Sequence, residues 1–370
     1  MNGTIIPADI AIIGAGMAGA SLAAEVGDRA RVVLVESEQQ PGYHSTGRSA
    51  AFWQETYGGS AVQPLTTASR TYLADNGFLS PRGAVHLGSG TEGAAAIDAV
   101  LRDYGAAVQL DRLGAADLAD KVPGLRPGVK LGLAEPSCRD IDVAGLHAHY
   151  LGRAKRAGAS LLTDARVTAV NRDGDLWRLD TPGGQVVAPI IVNAAGAWAS
   201  GIADLADAQA IDIRAYRRTV IQLEVDPPAA ATLPLVMDAA ETFYFKPEAG
   251  GRIWLSPHDE TLSPPCDAAP EELDIAIAID RFEQVVDWRV VRRERAWAGL
   301  RSFAPDRLPV YGFDRRVPGF FWFAGQGGFG IQTAPAAAMV ASALLMRDAL
   351  PEAVRHIDLS LYDPARFEPV

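Results

Sequence analysis

Cysteine is scarce in this sequence of 370 residues, which has only Cys138 and Cys266. Neither cysteine belongs to a CxxC pair or to a Cys/His cluster, so the sequence predicts no disulfide framework and no metal site. Such sparing use of cysteine is typical of a reducing compartment, and we therefore expect a cytoplasmic location.

Long apolar runs and basic tracts are also missing. No stretch approaches the roughly twenty apolar residues that cross a bilayer as a helix, so we expect no membrane span. Lys and Arg number 34 against 45 Asp and Glu, a formal net charge of −11, which argues against nucleic acid as a partner. With 48% apolar residues the chain can bury a large core, and its length favours about two domains.

The first chemical signal is a strand, a glycine-rich turn and a helix near the N-terminus. The apolar run Ile10–Ile13 leads into the turn Gly14–Gly19 (GAGMAG), a small-residue helix follows from Ala20, and a second apolar run, Arg31–Val35, ends at Glu36. A GxGxxG turn alone is weak evidence, but between two such strands, with an acidic residue closing the second, it predicts a dinucleotide site. Glu36 is then placed to accept hydrogen bonds from ribose hydroxyls.

Each residue of this turn has a separate task in such a site. Gly14 permits the tight turn, Gly16 lets backbone N–H groups approach the pyrophosphate, and Gly19 allows close packing of helix on strand. Met17 and Ala18 begin the helix, whose N-terminus offers partial positive charge to the phosphates.

Three later segments favour FAD over NAD as the dinucleotide. The loop Gly42–Ala50 is rich in hydroxyl and amide donors and contains one arginine, as contacts to pyrophosphate and flavin require. The turn Asn193–Trp198 has residues small enough for a flat cofactor, and the glycine-rich turn Gly325–Gly330 directly precedes a helix. That last arrangement can place N–H donors and a helix dipole at the pyrimidine end of a flavin, where reduced flavin carries negative charge.

Six stretches form an ordered set along the chain. They are Pro41–Ala51 (PGYHSTGRSAA), Asp140–Asp142 (DID), Val192–Trp198 (VNAAGAW), Phe243-Tyr244 with Lys246-Pro247, Trp297–Phe303 (WAGLRSF) and Gln326–Thr333 (QGGFGIQT). This set resembles the D-amino-acid oxidase/dehydrogenase superfamily of flavoproteins over nearly the whole chain. Within the superfamily, the resemblance is strongest to the bacterial FAD-dependent D-arginine dehydrogenases.

The resemblance implies a fold class and a domain division. We expect an α/β fold in which a Rossmann-like FAD-binding domain is interleaved with an α+β substrate-binding domain built on an antiparallel sheet. The first would comprise residues 1–83, 136–210 and 306–370, and the second residues 84–135 and 211–305. The β-rich pattern of residues 211–305, between two α/β regions, agrees with this division.

The motif and the resemblance together predict a noncovalently bound FAD, since neither cysteine lies in a matching attachment motif. The predicted contacts are spread over the whole chain. They are Gly14, Gly16, Met17, Ala18, Gly19, Glu36, Ser45, Thr46, Arg48, Ser49, Ala50, Ala51, Val167, Ala195, Gly196, Trp198, Arg301, Gly327, Gly328, Phe329, Gly330, Ile331, Gln332 and Thr333.

An enzyme that oxidises an amino acid must hold the carboxylate, aim the Cα–H at flavin N5 and present a neutral amine. Arginine meets the first need with two charge-assisted hydrogen bonds. The resemblance implies that Arg301, within the segment AGLR, binds the carboxylate and that Arg217 contributes. Each could instead form a surface or interdomain ion pair, and the adjacent Arg218 could exchange roles with Arg217.

Tyr57, Tyr244 and Gln332 complete the predicted substrate site. Tyr57 resembles a lid residue, and Tyr244 can donate its hydroxyl to the carboxylate, although either could be a core tyrosine. Gln332 matches, with Gly328, a position that contacts the substrate amine and the flavin, or it caps the following helix. No side chain is an obvious general base. The implied chemistry is hydride transfer from Cα to flavin N5, followed by hydrolysis of the imine to an α-keto acid and ammonia.

Two positions depart from the arginine-specific pattern. That pattern has an acid after its Ser-Pro-Arg turn to bind the distal cation of the substrate, but here the turn leads to Ala84, and a guanidinium without a partner is costly to bury. Phe52 replaces a lid histidine, and with Trp53 and Phe329 it would make the pocket apolar. Glu55 is either a substitute carboxylate or an exposed lid acid. We therefore predict a preference for neutral or hydrophobic D-amino acids.

Other functions stay open at this point. A glycine- or sarcosine-type amine oxidase and a 2-hydroxy-acid dehydrogenase would keep the carboxylate clamp and differ in the group lost with the hydride. A flavin-binding scaffold without turnover is the alternative of a different class, and Arg301, Tyr244 and the glycine-rich turns argue against it. The expected partners are a small-molecule amino acid and an electron acceptor, which could be a quinone, a dye-like acceptor or oxygen. The resemblance favours a dehydrogenase.

Overall fold

The computed structural model describes residues 4–50 and 52–367. Ala51, one of the predicted cofactor contacts, lies outside these residues. The strands, numbered in chain order, are β1 (Ile5–Pro7), β2 (Ile10–Ile13), β3 (Val32–Val35), β4 (Phe52–Trp53), β5 (Leu79–Pro81), β6 (Ala84–Ser89), β7 (Asp111–Leu113), β8 (Val129–Glu135), β9 (Arg139–Ile141), β10 (Ser160–Leu162), β11 (Ala169–Asp173), β12 (Leu176–Thr181), β13 (Gly184–Ala188), β14 (Ile190–Asn193), β15 (Arg214–Asp226), β16 (Leu235–Asp238), β17 (Tyr244–Glu248), β18 (Arg252–Ser256), β19 (Thr261–Leu262), β20 (Arg289–Phe303), β21 (Val310–Phe313) and β22 (Phe320–Ala324).

The α-helices are α1 (Met17–Val26), α2 (Gln63–Asp75), α3 (Gly90–Tyr104), α4 (Ala115–Lys121), α5 (Val143–Arg156), α6 (Ala199–Leu205), α7 (Glu272–Val285) and α8 (Ala334–Met346). Short 3-10 helices span Gly27–Arg29, Gly196–Trp198, Glu352–Val354, Leu359–Leu361 and Pro364–Phe367. Within residues 4–50 and 52–367, no helix is both long enough and apolar enough to cross a membrane.

A six-stranded sheet carries the nucleotide motif. Its order is β10-β3-β2-β14-β22-β21, and the strands are parallel except that β21 runs antiparallel to β22. Every residue of β2 and β3 is apolar and buried, because both faces of the sheet are covered. Helices α1, α5 and α8 pack on one face, and α6 with a four-stranded sheet, β1-β13-β12-β11, covers the other. The Rossmann-like part of the prediction is confirmed.

The second part of the fold is built on a nine-stranded sheet. Its order is β19-β15-β18-β17-β16-β6-β8-β7, with β20 paired to β15, and all pairs are antiparallel except β16 with β6. Helix α7 covers one face, where Ile221, Phe245 and Phe282 form part of the core. The opposite face carries an apolar cluster that includes Tyr244 and Met237. A three-stranded sheet, β4-β9-β5, is formed by residues that lie, along the chain, between those of the two large sheets.

The two large sheets draw on alternating parts of the chain. The six-stranded sheet uses strands from residues 10–35, 160–193 and 310–324, and the nine-stranded sheet uses residues 84–135 and 214–303. This alternation confirms the expected interleaved α/β fold. We propose the domain limits predicted from the sequence as the boundaries of the two parts.

Candidate active site

A cavity of about 370 Å³ opens where strands β2, β3 and β14 end. Because the carboxyl ends of parallel strands meet at one edge of a sheet, the residues that follow these strands converge there. The predicted cofactor contacts that line the cavity are Gly14, Gly16, Met17, Ala18, Glu36, Ser45, Thr46, Ser49, Val167, Ala195, Gly196, Trp198, Arg301, Gly327, Gly328, Gly330 and Ile331.

The turn after β2 is shaped for close approach. Gly14 has a φ of +100°, and a Cβ atom there would lie 2.5 Å from the carbonyl oxygen of Ala194. A Cβ atom on Gly19 would lie 1.9 Å from the Gly14 oxygen, so Gly19 packs against the turn instead of lining the cavity. The Met17 N–H donates to Thr46 Oγ1 at 3.0 Å, which ties the loop after β3 to the start of α1.

Glu36 is a buried carboxylate at the edge of this cavity. It is 8% exposed, and it accepts hydrogen bonds from the N–H groups of Ala15 (2.8 Å) and Glu38 (3.0 Å). Within the described part of the chain, no cationic side chain pairs with it. A buried carboxylate with lone pairs to spare fits the ribose hydroxyls of a dinucleotide. The glycine turn, the N-terminus of α1 and Glu36 therefore fit FAD.

Strand β20 brings Arg301 to the same cavity. The residue is 6% exposed, its Nε is buried without a partner, and its guanidinium forms no ion pair or hydrogen bond with residues 4–50 or 52–367. Burial lowers its pKa, but an arginine side chain stays charged in proteins. Asp259 is near enough to attract this charge but forms no ion pair with it, so the buried cation is only weakly compensated, and an anionic ligand would reduce the cost of burying it.

Strand β15 presents two adjacent arginines to opposite faces of the sheet. In the antiparallel pairing of β15 with β20, Tyr216 lies opposite Arg301, and Arg218 lies opposite Gly299. Arg217 lies between these two residues of β15. Because successive side chains of a strand alternate between faces, Arg218 shares the face of Arg301 and Arg217 does not.

The structure places Arg217 away from the face of Arg301. Its guanidinium pairs with Glu271 and, at 2.8 Å, with Asp274, so its charge is compensated on the α7 side of the sheet. The buried Arg218 pairs with Glu260 at 3.0 Å and lies close enough to Arg301 for the two charges to repel. Arg218, not Arg217, therefore lies on the face of Arg301, as the exchange of roles left open by the sequence would require.

Aromatic rings enclose the face that carries Arg301. Between ring centroids, Phe52 lies 5.7 Å from Tyr57 and 5.6 Å from Tyr244, and His258 lies 6.1 Å and 5.8 Å from the same two tyrosines. Both tyrosines are near enough to Arg301 to interact with its charge. Burial raises the pKa of Tyr244, so its phenol stays protonated and can donate. The structure thus brings Tyr57, Tyr244 and Arg301 together.

His258 is a candidate that sequence reasoning missed, since no motif surrounds it. Burial and the positive charges of Arg218 and Arg301 lower its pKa to about 3, so the ring is neutral at neutral pH. Its Nδ1 bonds to the carbonyl oxygen of Glu241, which makes Nδ1 the protonated nitrogen. Its Nε2 is buried without a partner among the described residues. A neutral hydrogen-bond acceptor therefore stands beside the two tyrosines.

Gln332 holds the segment that carries Tyr57. Its Oε1 accepts from the Gln54 N–H at 3.1 Å, and its Nε2 donates to the Tyr57 oxygen (3.1 Å) and to Thr66 Oγ1 (2.9 Å). The residue is 2% exposed, and its amide hydrogens are both used in these bonds. In the structure Gln332 therefore holds the backbone of Tyr57, and its contact with cofactor and substrate amine stays a prediction.

Glu135, a second residue that the sequence did not reveal, holds the same segment from the nine-stranded sheet. Fully buried, it accepts from the Glu55 N–H at 2.9 Å and from Thr56 Oγ1 at 2.7 Å, and it pairs with His86 at 3.3 Å. It lies directly opposite Ala84 on the neighbouring strand. Because these bonds occupy its oxygens, Glu135 does not replace the distal anchor that is absent at Ala84.

Two predicted pocket residues lie elsewhere. Glu55 is 8% exposed and accepts from Thr67 Oγ1 at 2.6 Å, so it is not an exposed lid acid. Trp53 is fully buried in the core around α1 and donates its Nε1–H to the Thr66 oxygen at 2.9 Å. Only Phe52 of this strand adds an apolar wall next to the tyrosines.

Arg48 fastens a loop instead of reaching the cofactor cavity. Its guanidinium donates to the backbone oxygens of Ala268 (2.9 Å) and Ala298 (3.2 Å) and pairs with Asp267. These partners lie between β19 and α7 and in β20, so three of the five N–H donors of Arg48 are engaged away from the cofactor cavity, and its contact with the pyrophosphate stays a prediction.

Three further predicted contacts, Ala50, Phe329 and Thr333, do not line this cavity. Ala50 lines a neighbouring cavity, Phe329 packs with Val62 and Phe303, and Thr333 donates its hydroxyl to the Phe329 oxygen at the start of α8. Sequence position beside the glycine turn is therefore not enough to place a side chain in the cavity.

Comparison with known families shows to which family this nucleotide-binding fold belongs. The DAO family, described as FAD dependent oxidoreductase, matches residues 9–344. The chain belongs to the DAO family. FAD is the cofactor of this family, and the glycine turn and the unpaired Glu36 of this DAO protein fit it.

Curated relatives and solved structures are similar to this DAO protein at low identity. Hydrogen cyanide synthase subunit HcnC of Pseudomonas aeruginosa is 27% identical over 224 residues, which is 60% of this chain and 51% of HcnC. Mouse mitochondrial dimethylglycine dehydrogenase is 26% identical over 220 residues, 54% of this chain and 25% of that protein. The match thus spans about half of the first relative and a quarter of the second.

Two solved structures share the fold almost throughout. Glycine oxidase from Geobacillus kaustophilus has a TM-score of 0.84 at 21% identity, covering 98% of this chain and 100% of that one. L-proline dehydrogenase from P. horikoshii has the same TM-score and identity, covering 98% of each chain. These likenesses show the fold of the DAO protein.

Proposed function

We propose that this DAO protein oxidises the Cα–N bond of a D-amino acid and works as a dehydrogenase. The observation that carries the proposal is the buried Arg301 on the cofactor cavity, which forms no ion pair with residues 4–50 or 52–367 and is flanked by Tyr57 and Tyr244. A substrate carboxylate would supply the missing counter-ion through charge-assisted hydrogen bonds. The preference for the D-enantiomer rests on the sequence resemblance to D-amino-acid dehydrogenases.

The protein's own part in this reaction is to bind and orient. Arg301 holds the carboxylate, Tyr244 donates its phenolic hydrogen to it, and Tyr57 with Phe52 covers the pocket. The neutral Nε2 of His258 can accept an N–H of the substrate amine. When bound, FAD accepts the hydride from Cα, and the released imine hydrolyses in water to an α-keto acid and ammonia.

The wall that would face the substrate side chain favours a neutral or hydrophobic group. Ala84 is 2% exposed in an apolar cluster with Phe52, Leu235, Met237 and Tyr244. The oxygens of the nearby Glu135 already bond to His86, to Thr56 Oγ1 and to the Glu55 N–H. A guanidinium placed there would lose its water without gaining a partner, at a cost of several kcal/mol.

A panel of D- and L-amino acids with a dye acceptor tests this proposal. We expect kcat/KM for D-leucine, D-methionine or D-phenylalanine to exceed that for D-arginine by at least about tenfold, or about 1.4 kcal/mol. D-Arginine or D-lysine as the best substrate by a wide margin would contradict the side-chain preference. Sarcosine, glycine or a 2-hydroxy acid as the best substrate would replace the proposed function by the corresponding alternative.

A pair of variants at Ala84 sharpens the same experiment. Ala84→Glu restores a distal acid and should raise the ratio of kcat/KM for D-arginine over D-leucine by about tenfold. Ala84→Gln has nearly the same size without the charge and should leave the ratio within about threefold. An equal change in both variants would show that the volume of the side chain, not charge, governs the preference.

A further inference from the structure

Strand β20 pairs with β15 along one edge, and its other edge is bonded to loops beside the cofactor cavity. Three backbone oxygens on this second edge accept hydrogen bonds. They belong to Ala298, which accepts from Arg48 Nη1 at 3.2 Å, to Leu300, which accepts from Ser45 Oγ at 2.7 Å, and to Ser302, which accepts from the Gly327 N–H at 2.8 Å. Because the carbonyl groups of alternate residues in a strand point to the same edge, the three bonds form one row.

Arg301 lies between two bonds of this row. Leu300 is tied to the loop after β3, and Ser302 is tied to the turn after β22. The guanidinium of Arg301 has no hydrogen bond or ion pair of its own in the described part of the chain, and a Cβ atom added at Gly299 would lie 3.3 Å from its Nη1. The side chain therefore lies close to the backbone of its own strand, and the position of that backbone sets where the guanidinium points.

Ser45 and its neighbour Thr46 hold two different parts of the site. Ser45 Oγ donates to the Leu300 oxygen of β20, whereas Thr46 Oγ1 accepts from the Met17 N–H at the start of α1. Both residues line the cofactor cavity, and the sequence assigned both to contacts with FAD. In the structure one hydroxyl is bonded to the strand of Arg301 and the next one to the nucleotide turn.

We propose that Ser45 is a positioning residue for the substrate carboxylate and that it holds Arg301 in place through the Leu300 oxygen. The proposal rests on Arg301 as the carboxylate site of the proposed function. A serine hydroxyl that donates its hydrogen keeps its lone pairs, so Ser45 can still accept a hydrogen bond from a ligand in the cofactor cavity.

The effect of Ser45 follows from what its removal leaves behind. Without the hydroxyl, the Leu300 oxygen loses its bond to the loop, and the backbone on one side of Arg301 is free to shift. A carboxylate held by two parallel hydrogen bonds is sensitive to such a shift, because both bonds depend on the direction of the guanidinium plane.

Binding of isocaproate to the flavin-loaded protein tests this proposal. Isocaproate has the carboxylate and the side chain of leucine but no amine, so it can bind without oxidation of a Cα–N bond. Ser45→Ala removes the hydroxyl, Ser45→Thr keeps it, and Thr46→Val is the matched control in the same loop. Calorimetry in excess FAD gives the Kd of isocaproate, and flavin fluorescence after dilution gives the fraction of cofactor released.

We expect Ser45→Ala to raise the Kd of isocaproate by at least about fivefold, which corresponds to about 1 kcal/mol, the usual net contribution of one hydrogen bond. Ser45→Thr should bind isocaproate as the wild type does. Thr46→Val should release more flavin on dilution and, once loaded, keep the Kd of the wild type. Because the titrations use loaded protein, a role of Ser45 confined to the cofactor would leave the Kd unchanged. A change of less than fivefold in Ser45→Ala, or an equal loss in Ser45→Thr, overturns the proposal.

Arg301→Ala, titrated in the same way, separates this proposal from the proposed function. If Arg301→Ala loses isocaproate and Ser45→Ala does not, the carboxylate site stands and only the role of Ser45 is wrong. If the wild type does not bind isocaproate, or if Arg301→Ala binds it equally well, the carboxylate site is wrong and the role of Ser45 falls with it.

Discussion

Replacing Arg301 with alanine is expected to lower kcat/KM for the best amino-acid substrate by about a hundredfold or more. The guanidinium is buried and forms no ion pair with the described residues, so a bound carboxylate would be its counter-ion. Removing one partner of a buried charge pair costs about 2–5 kcal/mol, and about 1.4 kcal/mol corresponds to a factor of ten. Steady-state kinetics with a dye acceptor measure the loss, expressed per bound flavin because Arg301 also lines the cofactor cavity.

Arg217→Ala is the matched control for this experiment. Arg217 is an equally buried arginine on the paired strand, but its charge is compensated by Glu271 and Asp274 on the opposite face. We expect a lower melting temperature and a change in kcat/KM of less than about tenfold. The assignment of the clamp is wrong if Arg301→Ala loses less than tenfold, or if Arg217→Ala loses as much.

The second large effect is expected at Gly14, where alanine should yield protein that purifies without FAD. The added Cβ would lie 2.5 Å from the Ala194 oxygen, and the φ of +100° is strained for any residue with a side chain. Both effects push the turn away from the place where the pyrophosphate approaches the backbone. The ratio of flavin absorbance to protein absorbance after purification measures the loss.

Gly27→Ala is the control that separates the effect of backbone strain from the effect of a steric clash. Gly27, at the other end of α1, also has a positive φ of +63°, but a Cβ atom there meets nothing within 4 Å. This variant should keep its flavin and lose about 1 kcal/mol of folding stability. Full flavin content in Gly14→Ala would show that the turn does not hold the cofactor as described.

The parts of the fold that the sequence predicts well are those set by local pattern. The β2–α1–β3 unit follows from the apolar runs and the glycine turn, and the residues Pro182-Gly183-Gly184 at the hairpin of β12 and β13 are typical of a turn. Strand β20 has no such local pattern, because its N-terminal half, with Val291–Arg295, is mostly charged and exposed. Its partner β15 supplies the pairing that keeps this half extended.

The positions of the other site residues depend on strand register and on partners that are distant in the chain. Arg217 and Arg218 are indistinguishable until the register with β20 decides which one faces the pocket. The side chain of Gln332 hydrogen-bonds to backbone groups of residues about 275 positions away in the chain, and no local motif predicts such contacts. His258 and Glu135 could not be assigned to the site from the sequence, because parts of the chain that are far apart bring them beside Tyr57 and its segment.

Anaerobic reduction of the bound flavin by a D-amino acid and by its carboxamide is the most direct test of the central claim. The two compounds present the same Cα–H and the same amine, and only the first offers Arg301 an anion. We predict that the amino acid bleaches the flavin and that the carboxamide does so at least about a hundredfold more slowly at the same concentration. Bleaching at equal rates by both compounds, or no bleaching by any amino acid, would contradict the account.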